Sequence, residues 1–181
     1  DIGLKVLKDG GNAIDAAVAV GFALSVVNPS AGNLGGGGFM LIHLSEKNET
    51  IAIDYRERAP IQSSEKMFQD QDGNVINGLS LNSTLASGVP GTVSGMFYVS
   101  EKFGIKNIKS LINPSVEIAK KGFILSKFQA SNLNKYKEKF LKNPEAKEIF
   151  TRTEGFAEGD ILIQKNLANT LSSCLLYTSD A

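Results

Sequence analysis

The first part of the chain alternates apolar stretches with glycine or proline, a pattern typical of short helices. The first predicted helix ends at Gly10-Gly11, because glycine readily adopts the backbone geometry of a helix C-terminus. A second helix is predicted over Ala13–Val27, with Asn12 as its N-cap and Asn28-Pro29 as its end. Since this second helix is apolar on nearly every face, we expect it to be buried between layers.

A hairpin is predicted next along the chain. Phe39–Leu44 is apolar at odd and even positions alike, which predicts an inner strand covered on both faces. The polar residues Ser45–Thr50 form the turn, and Ile51–Arg56 is the second strand. Charged residues lie at the end of this second strand, where the apolar sequence stops: Asp54, Arg56 and Glu57.

The second half of the chain is expected to be helical. A polar surface excursion over Gln62–Ser83 precedes a helix at about Thr92–Phe103. A further helix is predicted after Pro114, ending at Gly122, and an amphipathic helix over Lys127–Leu141. With the hairpin, this gives an α+β chain with no convincing domain boundary.

Composition narrows the possible functions. The chain has 181 residues, 42% of them hydrophobic and 21% charged, which is typical of a globular protein. A formal net charge of +0 argues against nucleic acid as a partner. Cys174 is the only cysteine and His43 the only histidine, so we expect neither a disulfide within the chain nor a metal or other cofactor. His43 is interpreted as an exposed edge residue.

A glycine run, Asn33–Gly38, immediately precedes the predicted inner strand. Glycine is needed where the backbone approaches another chain or a ligand closely. The run precedes a strand instead of linking a strand to a helix, so it is not a dinucleotide fingerprint. Two interpretations remain, a tight entry into a buried sheet and a binding loop.

The second predicted strand ends in residues of alternating charge. An arginine at the edge of a sheet can bind a carboxylate through two parallel hydrogen bonds, which makes Arg56 a candidate binding residue. The alternative is a solvated ion-pair cluster, which would contribute little stability. The alternation of side chains along a strand leads us to expect that Arg56 and Arg58 do not act as one clamp.

Four segments, in their order and spacing, resemble the γ-glutamyltransferases, also called glutathione hydrolases. They are Asp9–Ala17, Asn33–Met40, Asp54–Pro60 and Ala86–Val93. The resemblance extends from Asp1 to about Thr170. It implies part of the four-layer αββα sandwich of an N-terminal-nucleophile hydrolase, incomplete in this chain, whose proenzyme cleaves itself into a large and a small subunit. Residues 1–173 would then be the N-terminal part of the large subunit.

The last residues, 174–181, differ from the sequence before them and are interpreted as a non-native tail. The alternative is a genuine helix with Leu167, Leu171 and Leu175 on one stripe.

The resemblance also implies a function. A threonine that begins the small subunit would attack the γ-glutamyl group of glutathione or another γ-glutamyl compound and pass it to water or an amino acid. No catalytic residue is expected in this chain, which should be inactive alone. Arg56 would bind the α-carboxylate of the substrate, with Glu57 and Asp54 supporting it. Members of this family are commonly periplasmic or at the cell surface, although this chain contains no signal-peptide pattern.

Two other functions stay open from the sequence. A relative with the same fold would act on poly-γ-glutamate or a cephalosporin side chain. A non-catalytic scaffold would keep the sandwich without the nucleophile.

Overall fold

The computed structural model describes residues 1–31 and 34–175 as helices packed on one side of a β-hairpin, with a smaller helical lobe in the second half. The helices are α1 (Ile2–Lys8), α2 (Ala13–Val27), α3 (Leu79–Asn82), α4 (Thr92–Phe103), α5 (Ile108–Lys121), α6 (Lys127–Lys135), α7 (Lys137–Phe140), α8 (Pro144–Phe150) and α9 (Lys165–Cys174). The strands are β1 (Phe39–Leu44), β2 (Glu49–Asp54), β3 (Phe123–Ile124) and β4 (Ile161–Leu162). The predicted α+β class is confirmed.

The start of α2 is fixed by a reciprocal capping arrangement. The side chain of Asn12 accepts hydrogen bonds from the N–H groups of Ile14 and Asp15, and the carboxylate of Asp15 accepts one from the N–H of Asn12. The predicted N-cap is therefore confirmed. The described residues bury α2 on one side, since Val20 and Leu24 are 38% and 43% exposed, so its burial between two layers stays a prediction.

The main core lies between four helices and the hairpin. Its fully buried side chains include Phe22 of α2, Val99 of α4, Leu111 and Ile112 of α5, and Leu171 of α9. Burial of such apolar side chains is the main stabilising contribution to a domain of this size. The core thus holds the hairpin against a rigid helical layer.

The hairpin is antiparallel, with Phe39 opposite Asp54 and Ile42 opposite Ile51. Ile42 is buried against the helices, whereas Phe39 and Leu41 on the opposite face are 65% and 76% exposed. The predicted hairpin is confirmed, and residues 1–31 and 34–175 cover one of its two faces, so coverage of the other face stays a prediction.

The second half departs from the sequence predictions in two places. Helix α5 begins at Ile108, where Asn107 caps it, and continues through Pro114, so the expected start after Pro114 is wrong. Proline is tolerated here with the loss of one backbone hydrogen bond. The expectation of an all-helical region is also wrong, because β3 and β4 form a short antiparallel pair.

The remaining segments follow the predicted order. The predicted helix over Lys127–Leu141 is divided at Tyr136 into α6 and α7. Helix α9 includes Cys174, while residues 176–181 of the predicted tail lie outside the described residues. Within the described ranges, the helices are too short or too polar to cross a membrane.

Candidate substrate-binding site

The backbone that follows β2 is held between two other segments. The N–H of Tyr55 donates to the carbonyl of Gly38 over 3.0 Å. Three residues further on, Arg58 and Val89 exchange backbone hydrogen bonds of 3.0 and 2.8 Å. Residues 55–58 therefore form an extended segment between the glycine run and the loop that leads into α4.

Close packing explains why glycines surround this segment. A Cβ atom at Gly37 would lie 2.5 Å from the carbonyl oxygen of Tyr55, and one at Gly95 would lie 2.5 Å from the Cγ atom of Tyr55. A Cβ atom at Gly91 would overlap the carbonyl oxygen of Tyr55 as well. Real Cβ atoms do not approach other atoms this closely, so glycine is required at these positions.

The glycine run is also tied directly to α4. The N–H groups of Gly91 and Thr92, at the start of α4, both donate to the carbonyl of Gly36. These contacts favour the first of the two sequence interpretations, a tight packing segment beside the sheet. Asn33, which belongs to the predicted run, lies outside the described residues.

Asp54 fixes the backbone of Arg56. The Oδ1 atom of Asp54 accepts a hydrogen bond of 2.9 Å from the N–H of Arg56, which holds the backbone just beyond the end of β2. The guanidinium of Arg56 lies 5.8 Å from the ring centroid of Phe39, on the hairpin face that points away from the helices. Both Asp54 and Arg56 are exposed.

The ion-pair cluster that the sequence left open does not form among the described residues. The salt bridges found there join Lys121 to Glu117 and Arg152 to Asp160, and neither involves the charged segment after β2. Glu57 is exposed and packs its Cβ atom next to Gly88, which places it outside the cleft that Arg56 lines. Of the two supporting residues expected, Asp54 contacts Arg56 through a hydrogen bond.

A cleft of about 620 Å³ opens beside Arg56. Its lining includes both arginines, Arg56 and Arg58, together with Asp54. Residues two apart in an extended chain project to the same side, so both arginines can line one cleft, and the expectation that they do not act as one clamp stays a prediction. The cleft is therefore bordered by two cations and a single acidic side chain.

Sequence analysis missed two hydroxyl groups at this cleft. Ser94 and Tyr98 line it from α4, four residues apart and hence on one face of the helix. Helical spacing after Gly91 is the signal that would have found them. His43, set aside at the sequence level, is exposed at the other end of the hairpin, where its Nδ1 atom lies 3.1 Å from the Oγ1 atom of Thr50.

Comparison with known proteins identifies the family. The profile described as Gamma-glutamyltranspeptidase matches residues 1–175. The chain belongs to the γ-glutamyltranspeptidase family. The glutathione hydrolase proenzyme of Pseudomonas sp. (strain A14) is 49% identical to this chain over 172 residues. The corresponding proenzyme of Escherichia coli (strain K12) is 47% identical over 172 residues.

Each of these two alignments covers 94% of this chain and 30% of the relative, so the chain spans less than a third of their length. The crystal structure of Helicobacter pylori γ-glutamyltranspeptidase superposes with a TM-score of 0.92 and 48% sequence identity. That superposition covers 97% of this chain and 51% of the other. The expected membership and fold are thus confirmed.

Proposed function

We propose that the complete protein containing this chain is a glutathione hydrolase that transfers γ-glutamyl groups to water or an amino acid. In this proposal, Arg56 binds the α-carboxylate of the γ-glutamyl substrate. The observation that carries the proposal is the cation at the cleft: Arg56 has a hydrogen-bonded backbone, and its side chain forms no ion pair among residues 1–31 and 34–175.

The chemistry of Arg56 suits this role. A guanidinium presents parallel N–H groups that match the two oxygens of a carboxylate, which a lysine ammonium cannot reproduce. Asp54 and the close contacts with glycines hold the backbone of Arg56 in place. Substrate binding therefore costs less conformational entropy at this residue. Such preorganisation favours a binding role over a merely solvated charge.

The nucleophile in this proposal is a threonine at the N-terminus of a small subunit cut from the same proenzyme. Its hydroxyl oxygen attacks the γ-carbonyl carbon while its own α-amine accepts the hydroxyl proton. The C–N bond then breaks, the amine leaves with that proton, and a γ-glutamyl-threonine ester remains. Water or an amino-acid amine attacks this ester and restores the threonine.

The outer face of the hairpin is where we expect the small subunit to pack. Phe39 and Leu41 expose large apolar surfaces there, and Arg56 lies on the same face. Exposed apolar surface of this kind is typical of an interface. Packing of the small subunit on this face would bring its threonine near the α-carboxylate site. By family membership we propose export to the periplasm or cell surface.

Purified complete protein tests the proposed activity. It would be incubated separately with glutathione, poly-γ-glutamate and a cephalosporin carrying an amide side chain, and the released amines measured. We expect self-cleavage into two subunits and glutathione as the best substrate. Preferred cleavage of either of the other substrates, or no cleavage of glutathione by the processed protein, would contradict the proposal.

A further inference from the structure

The second arginine of the cleft is held by its backbone as firmly as the first. Arg58 donates its N–H to the carbonyl of Val89 over 3.0 Å and accepts from the N–H of Val89 over 2.8 Å. This two-bond bridge fixes the point from which the side chain projects. Arg58 is exposed and lines the same cleft as Arg56.

The charges around the cleft are unbalanced. Asp54 is the acidic residue of its lining, and one of its oxygens is hydrogen-bonded to the N–H of Arg56. Arg58 forms no salt bridge in the described parts of the chain, so its guanidinium is available to a ligand. The hydroxyl groups of Ser94 and Tyr98 add neutral hydrogen-bonding groups to the same wall. A site of this composition favours a ligand that carries more than one negative group.

We propose that Arg58 is a specificity-determining residue that binds a second carboxylate, located on the leaving-group side of the γ-glutamyl bond. This inference rests on the proposed function, in which Arg56 binds the α-carboxylate. The Cα atoms of residues two apart in an extended chain lie roughly 6.6 Å from each other, so two long side chains can reach separate carboxylates of one substrate. The preferred donors are therefore γ-glutamyl peptides with a free C-terminus.

Two chromogenic donors isolate this interaction. L-γ-Glutamyl-4-nitroanilide has a neutral leaving group, whereas L-γ-glutamyl-3-carboxy-4-nitroanilide has the same leaving group with one carboxylate. The readout is the ratio of kcat/KM for the carboxylated donor to kcat/KM for the neutral donor, measured in the complete enzyme. Because each variant serves as its own reference, this ratio does not depend on how much of the enzyme folds correctly.

We expect Arg58→Gln to lower that ratio by about threefold to tenfold, as for loss of one partly exposed charged contact. Arg58→Lys should retain part of the preference, because it keeps the charge without the planar geometry. Lys47→Gln, at the turn of the hairpin, removes one positive charge far from the cleft and should leave the ratio unchanged. An unchanged ratio in Arg58→Gln, or an equal fall in Lys47→Gln, would overturn the proposal.

Two further experiments distinguish failure of the proposed function from failure of the role proposed for Arg58. Arg56→Gln should weaken both donors alike; if it weakens neither, the proposed function fails independently of the role of Arg58. An amino-acid acceptor also has a carboxylate, so transfer to glycylglycine is compared with transfer to glycylglycinamide. Arg58→Gln could lower the rate of transfer to glycylglycine alone and leave the donor ratio unchanged. That result would overturn the assignment of Arg58 to the leaving group.

Discussion

The carboxylate of Asp54 binds the backbone of Arg56, with a hydrogen bond of 2.9 Å between its Oδ1 atom and the N–H of Arg56. The guanidinium of Arg56 extends instead over Phe39, with 5.8 Å between its Cζ atom and the ring centroid. The acidic residue therefore fixes the position of the arginine without neutralising it through a salt bridge. This division of roles suits the proposed binding of a carboxylate by Arg56.

The contact between Asp54 and Arg56 leads to a prediction about substrate binding. Asp54→Ala should raise KM for a γ-glutamyl anilide by about threefold to tenfold, because one hydrogen bond that orients Arg56 is lost. Asp54→Asn keeps an oxygen acceptor and should change KM by less than about twofold. Steady-state kinetics of the complete enzyme checks this. Equal effects of the two substitutions would show that charge, and not the hydrogen bond, is responsible.

The contact between Gly95 and Tyr55 predicts a difference between two glycines in helices. Gly95→Ala places a Cβ atom 2.5 Å from the ring of Tyr55, and we expect a loss of about 1–3 kcal/mol in the free energy of unfolding. Gly21→Ala in α2 meets the flexible end of Met96, at 2.8 Å, and gains the same helix propensity. Gly21→Ala should therefore change the free energy of unfolding very little.

Denaturant unfolding of the complete enzyme, followed by the KM for a γ-glutamyl anilide, distinguishes these two glycine variants. We expect Gly95→Ala to raise KM as well, since Tyr55 precedes Arg56. If Gly21→Ala is as destabilising as Gly95→Ala, the close approach to Tyr55 is not the cause.

Sequence patterns could predict the local structure but not what covers it. The N-cap at Asn12 and the hairpin followed from residue type and spacing, which act over a few neighbours. The element that covers the outer hairpin face could not be predicted, because the apolar Leu41 indicates a contact without identifying the chain that supplies it. The β3–β4 pair was missed because two-residue strands carry no usable period.

The candidate site shows the same limit. Arg56 could be proposed from its place at a strand end and from family resemblance, both of which are properties of the sequence. The role of Asp54 as a backbone acceptor depends on the path of the backbone after β2, and the place of Tyr98 depends on how α4 packs beside the hairpin. Such contacts between distant segments are set by tertiary packing.

The buried carboxylate of Asp15 predicts a large effect on stability. Asp15 is fully buried and accepts hydrogen bonds from the N–H groups of Asn12, Ile105 and Lys106. Asp15→Ala should lower the free energy of unfolding by about 2–4 kcal/mol, because those donors lose their partner. Asp15→Asn retains one acceptor oxygen, so its free energy of unfolding should lie between those of the wild type and of Asp15→Ala. A loss below about 0.5 kcal/mol for Asp15→Ala would contradict this account.

Two buried serines should respond in opposite directions to replacement by alanine. The hydroxyl of Ser115 in α5 is fully buried and has no hydrogen-bond partner among the residues that the structure describes. Ser115→Ala should be neutral or stabilise by up to about 1 kcal/mol. The hydroxyl of Ser25 donates to the carbonyl of Phe22 over 2.7 Å, so Ser25→Ala should destabilise by about 0.5–1.5 kcal/mol. Thermal unfolding of both variants compares them directly, and a larger loss for Ser115→Ala would refute the prediction.

The central claim is that Arg56 binds the α-carboxylate of a γ-glutamyl substrate. Its most direct test compares L-γ-glutamyl-4-nitroanilide with 4-aminobutyryl-4-nitroanilide, which lacks only that carboxylate. The account predicts that the wild-type enzyme prefers the first by at least about 100-fold in kcat/KM, and that Arg56→Gln reduces the preference below about tenfold. A preference that survives unchanged in a correctly processed Arg56→Gln enzyme would contradict it.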